Sequence, residues 1–138
     1  MTTIGLGSCI ALMLHDPKRS IGACAHIMLP ESGGKCDRPG KYADTAVPLL
    51  VEELIALGGV KRSFVAKIVG GASMFSNFQG KLNIGERNIE AVRAHLQTHG
   101  IPITAEDIGG TVGRTLQYNP LNGGTISVKR ADGSCSEL

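Results

Sequence analysis

Five consecutive apolar residues, Ile10-Ala11-Leu12-Met13-Leu14, constrain this chain more than any other stretch. A strand with one wet face alternates apolar and polar side chains, whereas a short unbroken apolar run reads as a strand covered on both faces. The fold must therefore place a layer on each side of this strand. The Gly-rich segment Gly5-Leu6-Gly7-Ser8 precedes the run and delivers Cys9 to its start. His15-Asp16-Pro17-Lys18-Arg19 follows as a turn, with Asp-Pro as its punctuation. A second extended run, residues 21–29, carries His26 and is ended by Pro30. Side chains alternate along a strand, so Gly22, Cys24 and His26 face one way and Ala23, Ala25 and Ile27 the other. Pairing of the two runs as a hairpin would set the Cys9 sulfur beside the His26 imidazole.

Downstream, helical and extended patterns alternate. Residues 31–40 (ESGGKCDRPG) form a polar, Gly/Pro-rich loop. A first helix is expected over 44–57, capped by Asp44, with Pro48 tolerated in its first turn. Leu50, Leu54 and Leu57 would face inward, and Gly58-Gly59 would end the helix. Residues 63–69 read as a buried or half-buried strand, followed by Gly70-Gly71 and a loop over 72–78. A second helix is expected over 86–98, with Ile89, Val92 and Leu96 inward and Gly100 and Pro102 as its stop. Three short strands follow at 102–108, 114–118 and 125–129, the last two joined by a hairpin loop at 119–124. Beyond Lys129 the chain is polar and is expected to fray. This order predicts an α/β (α+β) sandwich, with mixed β-sheets flanked by two main helices.

At 138 residues the chain is expected to form a single domain with one substantial core. With no Trp and only five Phe or Tyr residues, that core must be packed mainly by aliphatic side chains. The net charge of +2 is scattered, and no basic stripe interleaved with aromatics marks a nucleic-acid surface. No apolar run approaches the roughly 18 residues of a membrane span, so no membrane insertion is expected. The first residues do not read as a secretory leader, so a cytoplasmic location is expected, where the four cysteines would stay free thiols. Cys9, Cys24, His26 and Cys36 could supply zinc ligands, but the usual paired spacings are missing, so no structural metal is expected.

A cysteine in an apolar strand is ordinarily a small buried hydrophobe. Cys9 differs in sitting at a glycine turn, where successive backbone N–H groups can be aimed at one point and could stabilise an oxyanion. His26 is the histidine that lies in an apolar strand; His15 is assigned to a turn, and His95 and His99 to the exposed end of a helix. Cys24 is the rival thiol, on the same side as His26 but with no Gly-rich surroundings. Thr3, six residues before Cys9, could orient the imidazole. A thiol beside a base at the mouth of a glycine turn is the minimal apparatus for attacking a carbonyl. The expected chemistry is that of a cysteine hydrolase of amides.

TIGLGSC at 3–9, AHIMLP at 25–30, KYADTAVPLLVEEL at 41–54, KIVGGASMF at 67–75, NIGERNIEAV at 83–92 and the GG-x-x-GRT block at 109–115 occur together and in order. This combination closely resembles the CheD family, the chemoreceptor glutamine deamidases of bacterial and archaeal chemotaxis. The resemblance covers nearly the whole chain. It implies a Cys-His-Thr triad at Cys9, His26 and Thr3, a fold like that of certain deamidating toxins, and protein-glutamine glutaminase activity without metal or organic cofactor. It also implies chemoreceptors as substrates and a CheC-type phosphatase of CheY as a partner. Family members usually carry a further segment with a strand ahead of the threonine, so an N-terminal segment is expected to be missing here. In the loop at 72–78, Met74, Phe75 and Phe78 offer apolar anchors, and Met74 and Phe75, with Ser8, are the candidate substrate or partner contacts. The alternative reading is a non-catalytic partner that binds and stimulates the CheC-type phosphatase.

Overall fold

The apolar run lies inside β2 (Ile10–Asp16), all seven of whose residues are buried. A computed structural model of the chain describes residues 2–32, 39–72, 84–110, 112–119 and 125–138. In it β2 is flanked antiparallel on both sides, by β3 (Ile21–Ile27) and β4 (Val65–Gly70). β5 (Ile103–Ile108) adds in parallel to β4 and completes a sheet of order β3-β2-β4-β5. A second sheet, wholly antiparallel, has the order β1-β6-β7-β8, from β1 (Thr2–Leu6), β6 (Arg114–Asn119), β7 (Thr125–Arg130) and β8 (Cys135–Glu137). Two α-helices, α1 (Ala43–Ala56) and α2 (Ile84–Thr98), and two single-turn 3-10 helices, Pro39–Lys41 and Lys61–Ser63, complete the described elements.

The two faces of β2 explain its composition. Ile10, Leu12 and Leu14 pack against Val47, Leu50 and Leu54 of α1 and Ile89, Val92 and Leu96 of α2. Ala11 and Met13 turn the other way and, with Val69, meet Leu6, Leu116, Tyr118, Ile126 and Val128 of the antiparallel sheet. The mixed sheet is thus the middle of three layers, and no position along residues 10–14 can be polar without facing an apolar neighbour. This is the expected sandwich with two main helices.

Several local expectations are corrected. The tail does not fray: β8 pairs with β7, and Leu138 and Ile126 exchange backbone hydrogen bonds at 2.8 and 2.9 Å. His15 belongs to β2 and is buried, not part of a turn. The N-cap position of α1 is Tyr42, and the Asp44 carboxylate instead accepts bonds from the Ser32 N–H and hydroxyl, tying down the chain that leaves β3. Pro48 falls in the second turn, and Leu57 lies past the helix end and is exposed.

The sheets are also joined by charge. Asp107 on β5 accepts bonds from Arg114 on β6 at 3.3 Å and from Arg130 on β7 at 2.6 Å. Tyr118 of β6 reaches across to β3, where a Cβ on Gly22 would run into its hydroxyl. That hydroxyl is buried without a hydrogen-bond partner among the described residues. Burial, and then the nearby Cys24, push the Tyr118 phenol up from 10.0 to about 12. A group whose folded-state pKa is raised contributes stability that is present below its unfolded value and lost as pH rises through the folded one. Tyr118→Phe removes an unpaired donor and should be neutral or stabilising by about 1 kcal/mol near neutrality. Its advantage over the parent should grow by about 1 kcal/mol per unit between pH 10 and 12. Urea unfolding of both proteins at several pH values measures this, and a constant difference would refute it.

Candidate active site

Cys9 stands where the chain changes layers. β1 ends at Leu6 in the antiparallel sheet, Gly7-Ser8 cross the gap, and β2 begins at Ile10 in the mixed sheet. The crossing is held from the end of β4: the Gly71 N–H donates to the Cys9 carbonyl at 2.9 Å and the Ala72 N–H to the Gly7 carbonyl at 3.0 Å. Gly70 and Gly71 adopt φ of +115° and +70°, where glycine is favoured. A Cβ on Gly70 would collide with the Cys9 carbonyl, and one on Gly71 would sit 2.6 Å from Ile89 Cγ1. The Gly70-Gly71 pair is therefore what lets β4 approach the turn that carries the thiol. Gly70→Ala should destabilise the fold by about 2 kcal/mol or more, from φ strain plus the displaced turn. It should also cut turnover in the fraction that remains folded. Urea unfolding and activity per folded molecule test both, and an alanine variant with parental values would show that the turn yields.

The register between β2 and β3 locates His26. Ala11 lies directly opposite His26, and Cys9 precedes Ala11 by two residues. By alternation His26 shares the face of Ala11, and Cys9 stands just before the first paired residue of β2. Cys9 and Ala11 belong to the same inter-sheet cluster. His26 Nε2 is buried and has no hydrogen-bond partner among the described residues. Burial pushes the Cys9 thiol above its ordinary 9.0. The raised value favours the protonated thiol at neutral pH.

Cys24 is placed less favourably. It lies opposite Met13, on the same face as His26, and lines a cleft of about 350 Å³ with His26, Met28, Lys41, Leu50 and Glu53. Burial first, and then the Glu53 charge, push its thiol up. A neighbouring carboxylate opposes a thiolate, and no such charge is among the causes acting on Cys9. This electrostatic difference adds to the glycine turn in favouring Cys9.

Thr3 sits on β1 opposite Gln117, and its side chain is not among those described. Ser8 is half-buried in the turn. Met74, Phe75 and Phe78, and likewise Cys36, lie outside the described residues. One residue that the sequence reading passed over is Asn88 on α2. It is fully buried and donates from Nδ2 to the carbonyls of Ser8 and Met28, at 3.1 Å each. The available signal was its place on the helix, four residues before the inward-facing Val92, where a polar residue is out of pattern. Among the described residues no group of three or more His, Cys, Asp or Glu is placed to hold a metal ion, and no helix is long and apolar enough to cross a membrane.

Residues 28–130 match the family model described as CheD, chemotactic sensory transduction. The chain belongs to the CheD family. It is 52% identical over 133 residues to the chemoreceptor glutamine deamidase CheD of Thermotoga maritima, covering 96% of this chain and 83% of that one. It is 46% identical over 134 residues to a probable chemoreceptor glutamine deamidase CheD of Archaeoglobus fulgidus, covering 96% and 85%. A third such protein, from Desulfitobacterium hafniense, is 49% identical over 123 residues, covering 86% and 76%. The family-model match begins at Met28, after both Cys9 and His26. In this CheD protein both residues lie ahead of the segment that the family model matches.

Proposed function

We propose that this CheD protein is a chemoreceptor glutamine deamidase that hydrolyses selected glutamine side-chain amides, with Cys9 as nucleophile and His26 as base. The names of its relatives support the substrate and the reaction. The observation that supports the residue assignment is the Ala11–His26 register, which puts His26 opposite a residue two along from Cys9, beside a turn anchored through its carbonyls.

His26 takes the thiol proton as the sulfur bonds to the amide carbon. The carbonyl π pair moves onto oxygen, and backbone N–H groups of the turn hold that oxyanion. When the intermediate collapses, the C–N bond breaks, His26 returns its proton to the leaving nitrogen, and ammonia departs from a glutamyl thioester. Water, losing a proton to His26, then adds to the thioester, and the C–S bond breaks to give glutamate and the free thiol. Thr3 is assigned the orienting role in this scheme, the third-member function of a triad. Each turnover replaces a neutral amide by a carboxylate, so a receptor helix gains a negative charge and repulsion from like charges nearby. A cytoplasmic site of action and docking on a CheC-type phosphatase belong to the same proposal, supported by family membership alone.

The test is intact-mass analysis of a receptor signalling-domain fragment incubated with this protein. The expected result is the small mass gain per site that replacing NH2 by OH produces, mapped by peptide sequencing to glutamine. A fragment left unchanged by stoichiometric protein would overturn the assignment.

A further inference from the structure

We propose that Asn88 is a positioning residue for this reaction: it locks the peptide between Ser8 and Cys9 so that the Cys9 N–H faces the developing oxyanion. The proposal rests on the assignment of Cys9 and His26 just given.

Asn88 lies on the buried face of α2 among apolar residues, its own side chain fully buried. Its two bonds go to carbonyls that bracket the site. Ser8 immediately precedes Cys9, and Met28 follows His26 by two residues. Both acceptors are oxygens, so only the NH2 end of the amide can satisfy them, which settles the orientation of the group. Oδ1 is buried with no hydrogen-bond partner among the described residues. A leucine would fill this volume and strand no acceptor. What the asparagine adds is therefore the link between turn and strand.

The link has a directional consequence. Three successive carbonyls of the turn are held from the side of α2 and the β4 end: Gly7 by the Ala72 N–H, Ser8 by Asn88, and Cys9 by the Gly71 N–H. No peptide bond among the described residues is cis. In a trans peptide the carbonyl and the following N–H point in opposite directions. Holding the Ser8 carbonyl toward α2 therefore aims the Cys9 N–H away from it, toward the inter-sheet side where the Cys9 thiol packs. The flanking carbonyls are held by backbone groups that no side-chain substitution removes. The peptide that bears the nucleophile's own N–H is held by the Asn88 side chain. Its loss frees one peptide plane and leaves the neighbouring anchors in place.

The test compares Asn88→Ala, the isosteric Asn88→Asp, and Val92→Ala, a helix control that disturbs packing one turn away without touching the Ser8 or Met28 carbonyl. Folded fractions are measured by thermal melting and turnover is expressed per folded molecule. Asn88→Ala should lose about 100-fold in kcat, the scale of one oxyanion donor, with KM within about threefold of the parent. Asn88→Asp keeps the shape and, while protonated, one donor. Its deficit should be smaller at acid pH and grow as the carboxylate forms against two carbonyl oxygens. This second variant decides the matter if the alanine protein does not fold. A kcat deficit per folded molecule no larger than that of Val92→Ala, with no pH-dependent component in Asn88→Asp, would overturn the proposal. In that event a dead Cys9→Ala variant alongside an active parent would leave the nucleophile assignment standing. An active Cys9→Ala would instead remove its foundation.

Discussion

Replacing Cys9 by alanine is expected to lower receptor deamidation by more than about 10⁴-fold, because the sulfur makes and breaks the bonds in both halves of the reaction. The fold should survive, since Cys9 is only partly buried and a methyl group retains most of its contact with the inter-sheet cluster. Cys24→Ala should keep most of the activity, because the Glu53 carboxylate disfavours a thiolate at that position. Intact-mass assays of the three proteins on one receptor fragment, with melting curves for each, separate the readings. Activity lost in Cys24→Ala and kept in Cys9→Ala would exchange the two thiols. Alkylation supplies an independent check. Since burial raises the Cys9 thiol above its ordinary 9.0, its iodoacetamide rate in the free protein should go on climbing beyond pH 9, followed by peptide mapping. A rate already level at pH 7 would indicate a preformed thiolate.

Asp107→Ala is expected to have the largest effect on stability. The carboxylate is 13% exposed and stands between Arg114, 6% exposed, and Arg130, 23% exposed. Removing it strands the Arg114 guanidinium in the interior, and breaking a buried pair from one side costs about 3–5 kcal/mol. The melting temperature should fall by about 10 °C or more for a domain of this size. The Val112 and Gly109 carbonyls, which also accept from Arg114, will offset part of the loss. Arg114→Met in the Asp107→Ala background should recover stability, since an apolar side chain of similar volume leaves no charge unpaired. If the double variant were no more stable than Asp107→Ala, the cost would lie in packing and not in a stranded charge.

Much of the hairpin at the centre of the site is legible in residues 10–29. An unbroken apolar run, an Asp-Pro turn and a second extended run define two antiparallel strands, and alternation then sets which side chains share a face. Ala23, Ala25 and Ile27 share one face and Cys24 takes the other, as expected; the structure adds that the first faces the helices and the second the other sheet. β1 and β8 were not legible. A five-residue run broken by Gly5 and leading into Gly7-Ser8 reads as a glycine turn, and a three-residue strand in a polar tail gives no periodicity to read. Both exist because partners hold them, Tyr118 through Arg114 for β1 and Ser127 through Lys129 for β8. Asp44 was misread for a related reason: an acidic residue at a helix start is a generic cap signal, but here Ser32, across the loop that leaves β3, claims the carboxylate.

The sequence by itself determined the order of the two helices and of β2 to β7, the aliphatic core, and the β2–β3 hairpin that carries His26. All of these follow from periodicity and turn chemistry within a few dozen residues. Tertiary structure alone decided that the chain changes sheets at Gly7-Ser8, that Gly70-Gly71 closes around the Cys9 carbonyl, and that Asn88 reaches Ser8 eighty residues away. It alone decided, too, that Asp107 bridges the layers to Arg114 and Arg130. The physical reason is that a hydrogen-bond donor or a charge carries no local record of its partner. The partner is chosen when two apolar faces dock and the polar groups stranded at the seam must be satisfied by whatever the opposite layer presents.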